Sequence, residues 1–179
     1  MRFSTFDRDG SGDFSHGFAR SNRNGLRQGR CRGENRAKGQ RGVGVGDQVE
    51  VALRALRAHC RGRLWVVFGC GGDRDSGKRP QMGKAAEHLA DHVVITNDNP
   101  RSEEPEQIMA EIKQGMANHD ACHTQTDRQR AIAMAISQAR RGDVVLVAGK
   151  GHETWQQLGA EKIPFSDIDE VKSQLDVWI

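Results

Sequence analysis

The sequence predicts an α/β fold, a mainly parallel, Rossmann-like sheet with helices on both faces, over residues 47–179, preceded by a disordered basic head over residues 1–46. Three observations predict it. Leu64–Phe68, Val93–Thr96 and Val144–Val147 are nearly unbroken apolar runs too short for helices, which is how strands buried on both faces read. Segments between them carry apolar residues at three- and four-residue spacing, so strand and helix alternate as in a parallel sheet with crossover helices. The charge also changes near residue 47: residues 1–46 hold 10 Lys/Arg against 4 Asp/Glu, and residues 47–179 hold 17 against 20.

The elements follow in order. Val49, Ala52, Leu53 and Leu56 share one face of a helix from Gln48 to Cys60, and the strand Leu64–Phe68 ends in glycines. A helix is expected from Gln81, just after Pro80, to Ala90, then the strand Val93–Thr96. Pro105 opens the next helix, with Glu103, Glu104 and Glu106 about its N-terminus, where negative charge is favoured. Its buried face is Ile108, Met109, Ile112 and Met116. The stretch from His119 to Thr126 has room for one short strand. Asp127 is placed to cap a helix with Ala131, Ile132, Ala135, Ile136 and Ala139 on its inner face. Gly142-Asp143 turns into the strand Val144–Val147, and Ser166 with Asp169 resembles a capping box before a last helix through Leu175.

Composition narrows the function classes. The 36% hydrophobic content is low for 179 residues, but the deficit lies in the head, which is Arg/Gly-rich and aperiodic. No apolar run approaches the roughly 18 residues of a membrane span, and the head lacks a signal-peptide core. Cys31, Cys60, Cys70 and Cys122 are scattered without a CxxC pair, which argues for reduced thiols, a cytoplasmic setting and no zinc. A Gly/Arg-rich head is also a candidate contact for nucleic acid. Phe3, Phe6, Phe14 and Phe18 are not spaced as a stacking array, so a solvated tail is the preferred reading.

Three loops carry the chemistry. Asp98-Asn99-Pro100-Arg101 follows the strand ending at Thr96, and open α/β sheets bind ligands at the carboxyl ends of their strands. Pro100 fixes its own φ and biases Asn99 towards extended geometry, so the polar groups are held. Arg101 offers a planar fork to a carboxylate, while Asp98 and Asn99 accept from an ammonium. The set suits a zwitterionic amino acid, although four such residues also make an ordinary charged turn. Gly72 to Lys78 fits the GxxxxGK spacing of a phosphate-cradling loop, but Arg79 stands where Ser or Thr would hold Mg²⁺, and Asp73 and Asp75 would repel phosphate. Gly149-Lys150-Gly151-His152-Glu153 follows the third strand and is expected to lead into a helix.

The run GCGGDRDxGKRPxMG from Gly69, TxDNPRxEEP from Thr96, DRxxAI from Asp127 and GDVVLVAGKGHE from Gly142, in that order, closely resembles the C-terminal domain of the Mur ligases, in their diaminopimelate-adding branch. The resemblance covers Asp47 to Ile179. It implies an ATP-dependent ligase that joins meso-diaminopimelate to UDP-MurNAc-L-Ala-D-Glu in peptidoglycan precursor synthesis, and so serves cell-wall biogenesis, cell shape and division. By the same resemblance Arg74, Asp98, Asn99, Pro100, Arg101, Gly149 and Glu153 bind meso-diaminopimelate, with Asp73 and Asp75 orienting the Arg74 guanidinium. Lys150 and His152 would face phosphate. Arg101 would read the distal carboxylate that lysine lacks.

The family pattern also implies domains for the UDP-sugar and for ATP with Mg²⁺ that are not recognisable here. The chain is therefore expected to be truncated, with no catalytic residue of its own, not catalytic alone, and without tight binding of a cofactor or metal. A free-standing binding module whose basic head touches nucleic acid is the alternative. Asp47-Gln48-Val49-Glu50 resembles the end of a family stretch that Gly42–Gly46 does not continue, so residues 1–46 are expected to be read out of the ancestral frame. A monomer is expected.

Overall fold

The computed structural model describes residues 2–7 and 45–176. The order is β1 (Arg2–Asp7), α1 (Val45–Arg57), β2 (Leu64–Phe68), α2 (Lys78–Leu89), β3 (His92–Thr96), α3 (Pro105–Lys113), β4 (Cys122–Gln125), α4 (Arg128–Gln138), β5 (Val144–Gly149), β6 (Trp155–Leu158), β7 (Glu161–Pro164) and α5 (Asp167–Asp176). One sheet runs β1-β5-β2-β3-β4, and β6 and β7 form a separate hairpin. Strands β5, β2, β3 and β4 are parallel, with Phe68 opposite both Ile95 and Ala148. The α/β class and its parallel sheet are thus as the periodicity predicts.

Alternation within each strand divides the core in two. Leu64, Val66 and Phe68 of β2, Val93 and Ile95 of β3, and Leu146 and Ala148 of β5 pack with residues of α1, α2 and α3. Trp65, Val67, Val94, Val145 and Val147 pack on the other face with Ala131, Ile132, Ala135 and Ile136 of α4 and Val171 of α5. Period-two strands between 3.6-period helices produce this sorting directly. The chain moves outward from β2 to β3 to β4, then returns through α4 to place β5 on the other side of β2. That reversal makes a switch point, and the loops after β2, β3 and β5 open beside it.

Local signals mostly hold. Asp127 accepts a hydrogen bond from Arg130 N at 3.1 Å, Pro105 sits in the first turn of α3, and Ser166 Oγ accepts from Asp169 N at 3.2 Å. The short strand expected after His119 is β4. Helix α2 starts earlier than expected, at Lys78, because Pro80 falls in its first turn, where a missing N–H costs no helical bond. Cys70 is buried beside Met82, with Sγ to Sδ at 3.5 Å, and burial pushes its thiol up to about 12, so it is inert. Among the described residues, no helix is long and apolar enough to cross a membrane.

Two expectations are corrected. The loop after β5 does not enter a helix. Gly151 turns at φ 59°, and the chain doubles back as the β6–β7 hairpin through Gly159 at φ 60°. Residues 1–46 were also expected to lack regular structure, but β1 pairs antiparallel with β5, Arg2 opposite Gly149 and Asp7 opposite Val144. Such a strand satisfies backbone groups along the outer edge of β5. The rest of the head, with its expected disorder, its nucleic-acid alternative, Cys31, Phe14 and Phe18, lies outside the described residues.

Candidate functional site

The three polar loops meet at the carboxyl edge of the sheet. After β3, Asn99 is 4% exposed and acts as a connector. Its Oδ1 accepts from Lys150 Nζ at 2.8 Å and Gln157 N at 2.9 Å, its Nδ2 donates to Glu153 Oε2 at 3.1 Å, and its backbone oxygen accepts from Gly72 N at 2.9 Å. One residue, through its side chain and its carbonyl, therefore joins the loops after β2, β3 and β5. Pro100 is buried, and its oxygen would lie 1.8 Å from a Cβ placed on Gly72, so only glycine permits that approach of the two turns.

Lys150 is buried, and its ammonium points inward. It donates to Asn99 Oδ1 and to Trp155 O at 3.0 Å, and it lies 3.5 Å from Asp98 Oδ1 and 3.9 Å from Glu153 Oε2. The expectation that Lys150 faces a phosphate does not match this geometry, since its donors are spent on the protein. Asp98 Oδ1 is buried without a hydrogen-bond donor. Loss of water pushes the Asp98 carboxyl up against the pull of Arg128 and Lys150, and it pulls the Lys150 ammonium down despite Asp98. Glu153 is partly exposed, and His152 is exposed on the turn beside it.

Arg101 and Arg74 occupy facing turns. Arg101 adopts φ 54°, and Asp73, just before Arg74, adopts φ 55°. Left-handed backbone at a non-glycine residue costs on the order of 1–3 kcal/mol, so both turns are held by their surroundings. Arg101 Nη1 donates to Gly72 O, and the Arg101 backbone bridges to Leu158 of the hairpin. A Cβ on Gly71 would sit 3.0 Å from Arg101 Nη1 and 3.7 Å from Arg74 Cγ, so both arginines flank that glycine. Arg74 is exposed, and among the described residues it has no hydrogen bond or ion pair. The two aspartates expected to orient it are engaged elsewhere: Asp73 Oδ1 accepts from Ser102 Oγ, and Asp75 accepts from Gly77 N and faces Lys78 at 3.8 Å.

Sequence reasoning missed two buried arginines beneath these loops. Arg128, fully buried in α4, forks onto Asp167 with Nε to Oδ1 at 2.7 Å and Nη2 to Oδ2 at 2.8 Å. It also donates to Asn97 O and Ala148 O, both at 3.1 Å, the carbonyls just before Asp98 and Gly149. Burial works against its charge, but Asp167 holds its pKa above the ordinary value. Gly149, at φ 135°, leaves room here, since a Cβ would lie 3.3 Å from Arg128 Nη2. Arg79, 2% exposed, donates to Glu103 at 2.7 and 2.9 Å, to Glu111 at 2.8 Å and to Gly71 O at 3.3 Å. The side chain that replaces the Mg²⁺-holding Ser/Thr is thus turned into the protein.

Residues 46–151 match the family model described as Mur ligase, glutamate ligase domain. The chain belongs to the Mur ligase family. It is similar to the UDP-N-acetylmuramoyl-L-alanyl-D-glutamate–2,6-diaminopimelate ligase of Coxiella burnetii, 52% identical over 129 residues, covering 72% of this chain and 26% of that protein. The protein of the same name from Alkalilimnicola ehrlichii is 56% identical over 124 residues, covering 69% and 25%. A solved structure of a ligase of that name superposes with a TM-score of 0.70 at 46% identity, covering 74% of this chain and 28% of that one. The chain therefore spans about a quarter of the length of the curated Mur ligases it matches. All four quoted motifs of the chain fall in or next to the matched span, and Glu153 lies two residues past it.

Proposed function

We propose that residues 47–179 form the amino-acid-binding domain of a cytoplasmic ligase that adds meso-diaminopimelate to UDP-MurNAc-L-Ala-D-Glu in peptidoglycan precursor synthesis, and that the chain is monomeric. The observation that carries this reading is the pair of arginines flanking Gly71, Arg101 and an exposed Arg74 that has no hydrogen bond or ion pair among the described residues, joined through Asn99 to the partly exposed Glu153. Asp98 Oδ1 is buried 3.5 Å from Lys150 Nζ, so its charge already has a partner within the protein. The partly exposed Glu153, whose Oε2 accepts from Asn99 Nδ2, would receive an ammonium group of the substrate. Arg101 and Arg74 would take carboxylates, leaving the reacting amine presented at the mouth of the site.

Family membership implies ATP and Mg²⁺, and the loop of residues 72–79 does not fit them. Arg79 points into the protein, Lys78 lies towards solvent opposite Asp75, and Asp73 and Asp75 line the loop. No step through ATP is assigned to this chain. Its own residues bind and orient the amine; they do not activate a carboxylate.

The test is an NMR titration of the wild-type chain and Arg101→Ala with meso-diaminopimelate and with lysine. A charge-assisted fork is worth roughly 1.5–3 kcal/mol, so the variant should lose about tenfold to a hundredfold in affinity for meso-diaminopimelate. Lysine should lose much less. Equal losses for the two ligands refute the assignment of Arg101 to the distal carboxylate.

A further inference from the structure

Between the two arginine-bearing turns stands a residue that touches neither guanidinium. Glu103 lies just before α3, and its Oε1 accepts from Asp73 N at 2.6 Å and from Arg79 Nη2 at 2.9 Å. Its Oε2 accepts from Arg79 Nη1 at 2.7 Å, and its own N donates to Pro100 O at 3.1 Å. The Arg79 and Asp73 donors hold the Glu103 carboxyl below its usual range, so it is an anion at neutral pH.

We propose that Glu103 is the positioning residue of this site. Its carboxylate fixes the turn that carries Arg74 against the turn that carries Arg101, and so sets the span over which the two guanidinia hold a diacidic amino acid. The inference rests on the amino-acid-binding reading given above. Four observations lead to it. Asp73 is the left-handed residue of its turn, and Glu103 holds the amide of that very residue, so the direction in which Arg74 leaves the backbone depends on this acceptor. Arg79 anchors Glu103 from below and ties Gly71 O to the same carboxylate. The other side of the junction is closed by Gly72 N on Asn99 O and by Arg101 Nη1 on Gly72 O. Glu103 is itself two residues after Arg101, so one short segment carries both the reader of one carboxylate and the strut for the reader of the other. A rigid separation between two charged forks is what discriminates a ligand by the distance between its carboxylates.

The experiment uses the full chain and two variants. Glu103→Ala removes the strut but leaves Arg79 its bonds to Glu111 and Gly71 O, so the fold should survive. Glu103→Gln keeps an acceptor for Asp73 N but loses the charge and the acceptor that faces Arg79 Nη1. Two readouts are taken: hydrogen exchange at the Asp73 amide without ligand, and affinity for meso-diaminopimelate and for lysine. In Glu103→Ala the Asp73 amide should exchange at least about tenfold faster, as expected for a lost charge-assisted bond. The affinity for meso-diaminopimelate should fall roughly tenfold and that for lysine by clearly less. Glu103→Gln should retain most of the amide protection and an intermediate affinity. A wild-type chain that fails to bind meso-diaminopimelate defeats the reading beneath the inference. Undiminished binding by Glu103→Ala, equal losses for both ligands, or an Asp73 amide as protected as in the wild type defeats the inference alone.

Discussion

Asp167→Asn should unfold this domain more readily than any exchange at the exposed site residues. Arg128 and Asp167 are both wholly buried, and the guanidinium makes two bonds to the carboxylate and one each to Asn97 O and Ala148 O. Asparagine has the same shape but offers one acceptor where the carboxylate offers two, and it turns an NH₂ towards a guanidinium N–H. It also removes the compensating charge. Removing one partner of a buried pair costs about 3–5 kcal/mol, because the remaining charge is left in a medium that cannot solvate it. A domain holds only about 5–15 kcal/mol in total. For a unit of this size the loss corresponds to a fall in Tm of roughly 10–20 °C. Urea unfolding at neutral pH, with the slope checked against the wild type, measures it. The double variant Arg128→Met, Asp167→Leu should be more stable than Asp167→Asn, because it leaves no buried charge behind. It should still fall short of the wild type, because Asn97 O and Ala148 O lose their donor. A cost below about 1 kcal/mol for Asp167→Asn, or a double variant less stable than the single one, would show that the pair is not the dominant tie under the β3 and β5 loops.

Three further outcomes follow from the same geometry. Gly72→Ala places a Cβ 1.8 Å from Pro100 O, which is backbone and cannot swing aside, so the two turns must separate at a cost of about 1–3 kcal/mol; urea unfolding with wild-type stability would contradict the close approach. Burial works against the charge of Asp143, yet the amides of Arg140 and Arg63 and the Trp65 indole hold its carboxyl below the ordinary 3.8, so its stabilisation is complete above that pH and is lost as the pH falls through the lower folded value. Asp143→Asn should therefore cost about 1–3 kcal/mol at pH 7 and progressively less towards pH 2, and a cost independent of pH in unfolding curves would refute the charge-based account. The chain should show no ATP turnover above a buffer blank, and turnover abolished by Lys78→Ala would overturn that expectation.

What could be read from the sequence divides along physical lines. The three central strands and their helices were legible because each buries a face, and burial imposes a period. The loops after β2, β3 and β5 were legible because glycine, proline and charge cluster where strands end. The β6–β7 hairpin escaped because β7 is exposed along its length and carries no apolar alternation to detect. Strand β1 escaped because it lies far from its partner β5 along the chain, within a basic, aperiodic stretch. Lys150 was misread as facing ligand because a lysine after a glycine at a strand end has no local mark of burial.

Arg79 and Arg128 are a different matter, since their signal was present. In α2 the buried positions are Arg79, Met82, Gly83 and Ala86, and in α4 they are Arg128, Ala131, Ile132, Ala135 and Ile136. Each arginine heads the apolar stripe of its helix, at the three- and four-residue spacing that marks the core face. A charge at such a position is tolerable only with partners, and those partners lie far off in sequence: Glu103 is 24 residues from Arg79, and Asp167 is 39 from Arg128. Both arginines sit in the first turn of a helix that follows a site-bearing strand end or leads into one. They therefore reach the backbone carbonyls of the loops themselves, Gly71 for one and Asn97 and Ala148 for the other. A charged residue at the head of an apolar stripe is thus a sequence-level pointer to the groups that hold a site in shape, one step behind the residues that touch its ligand.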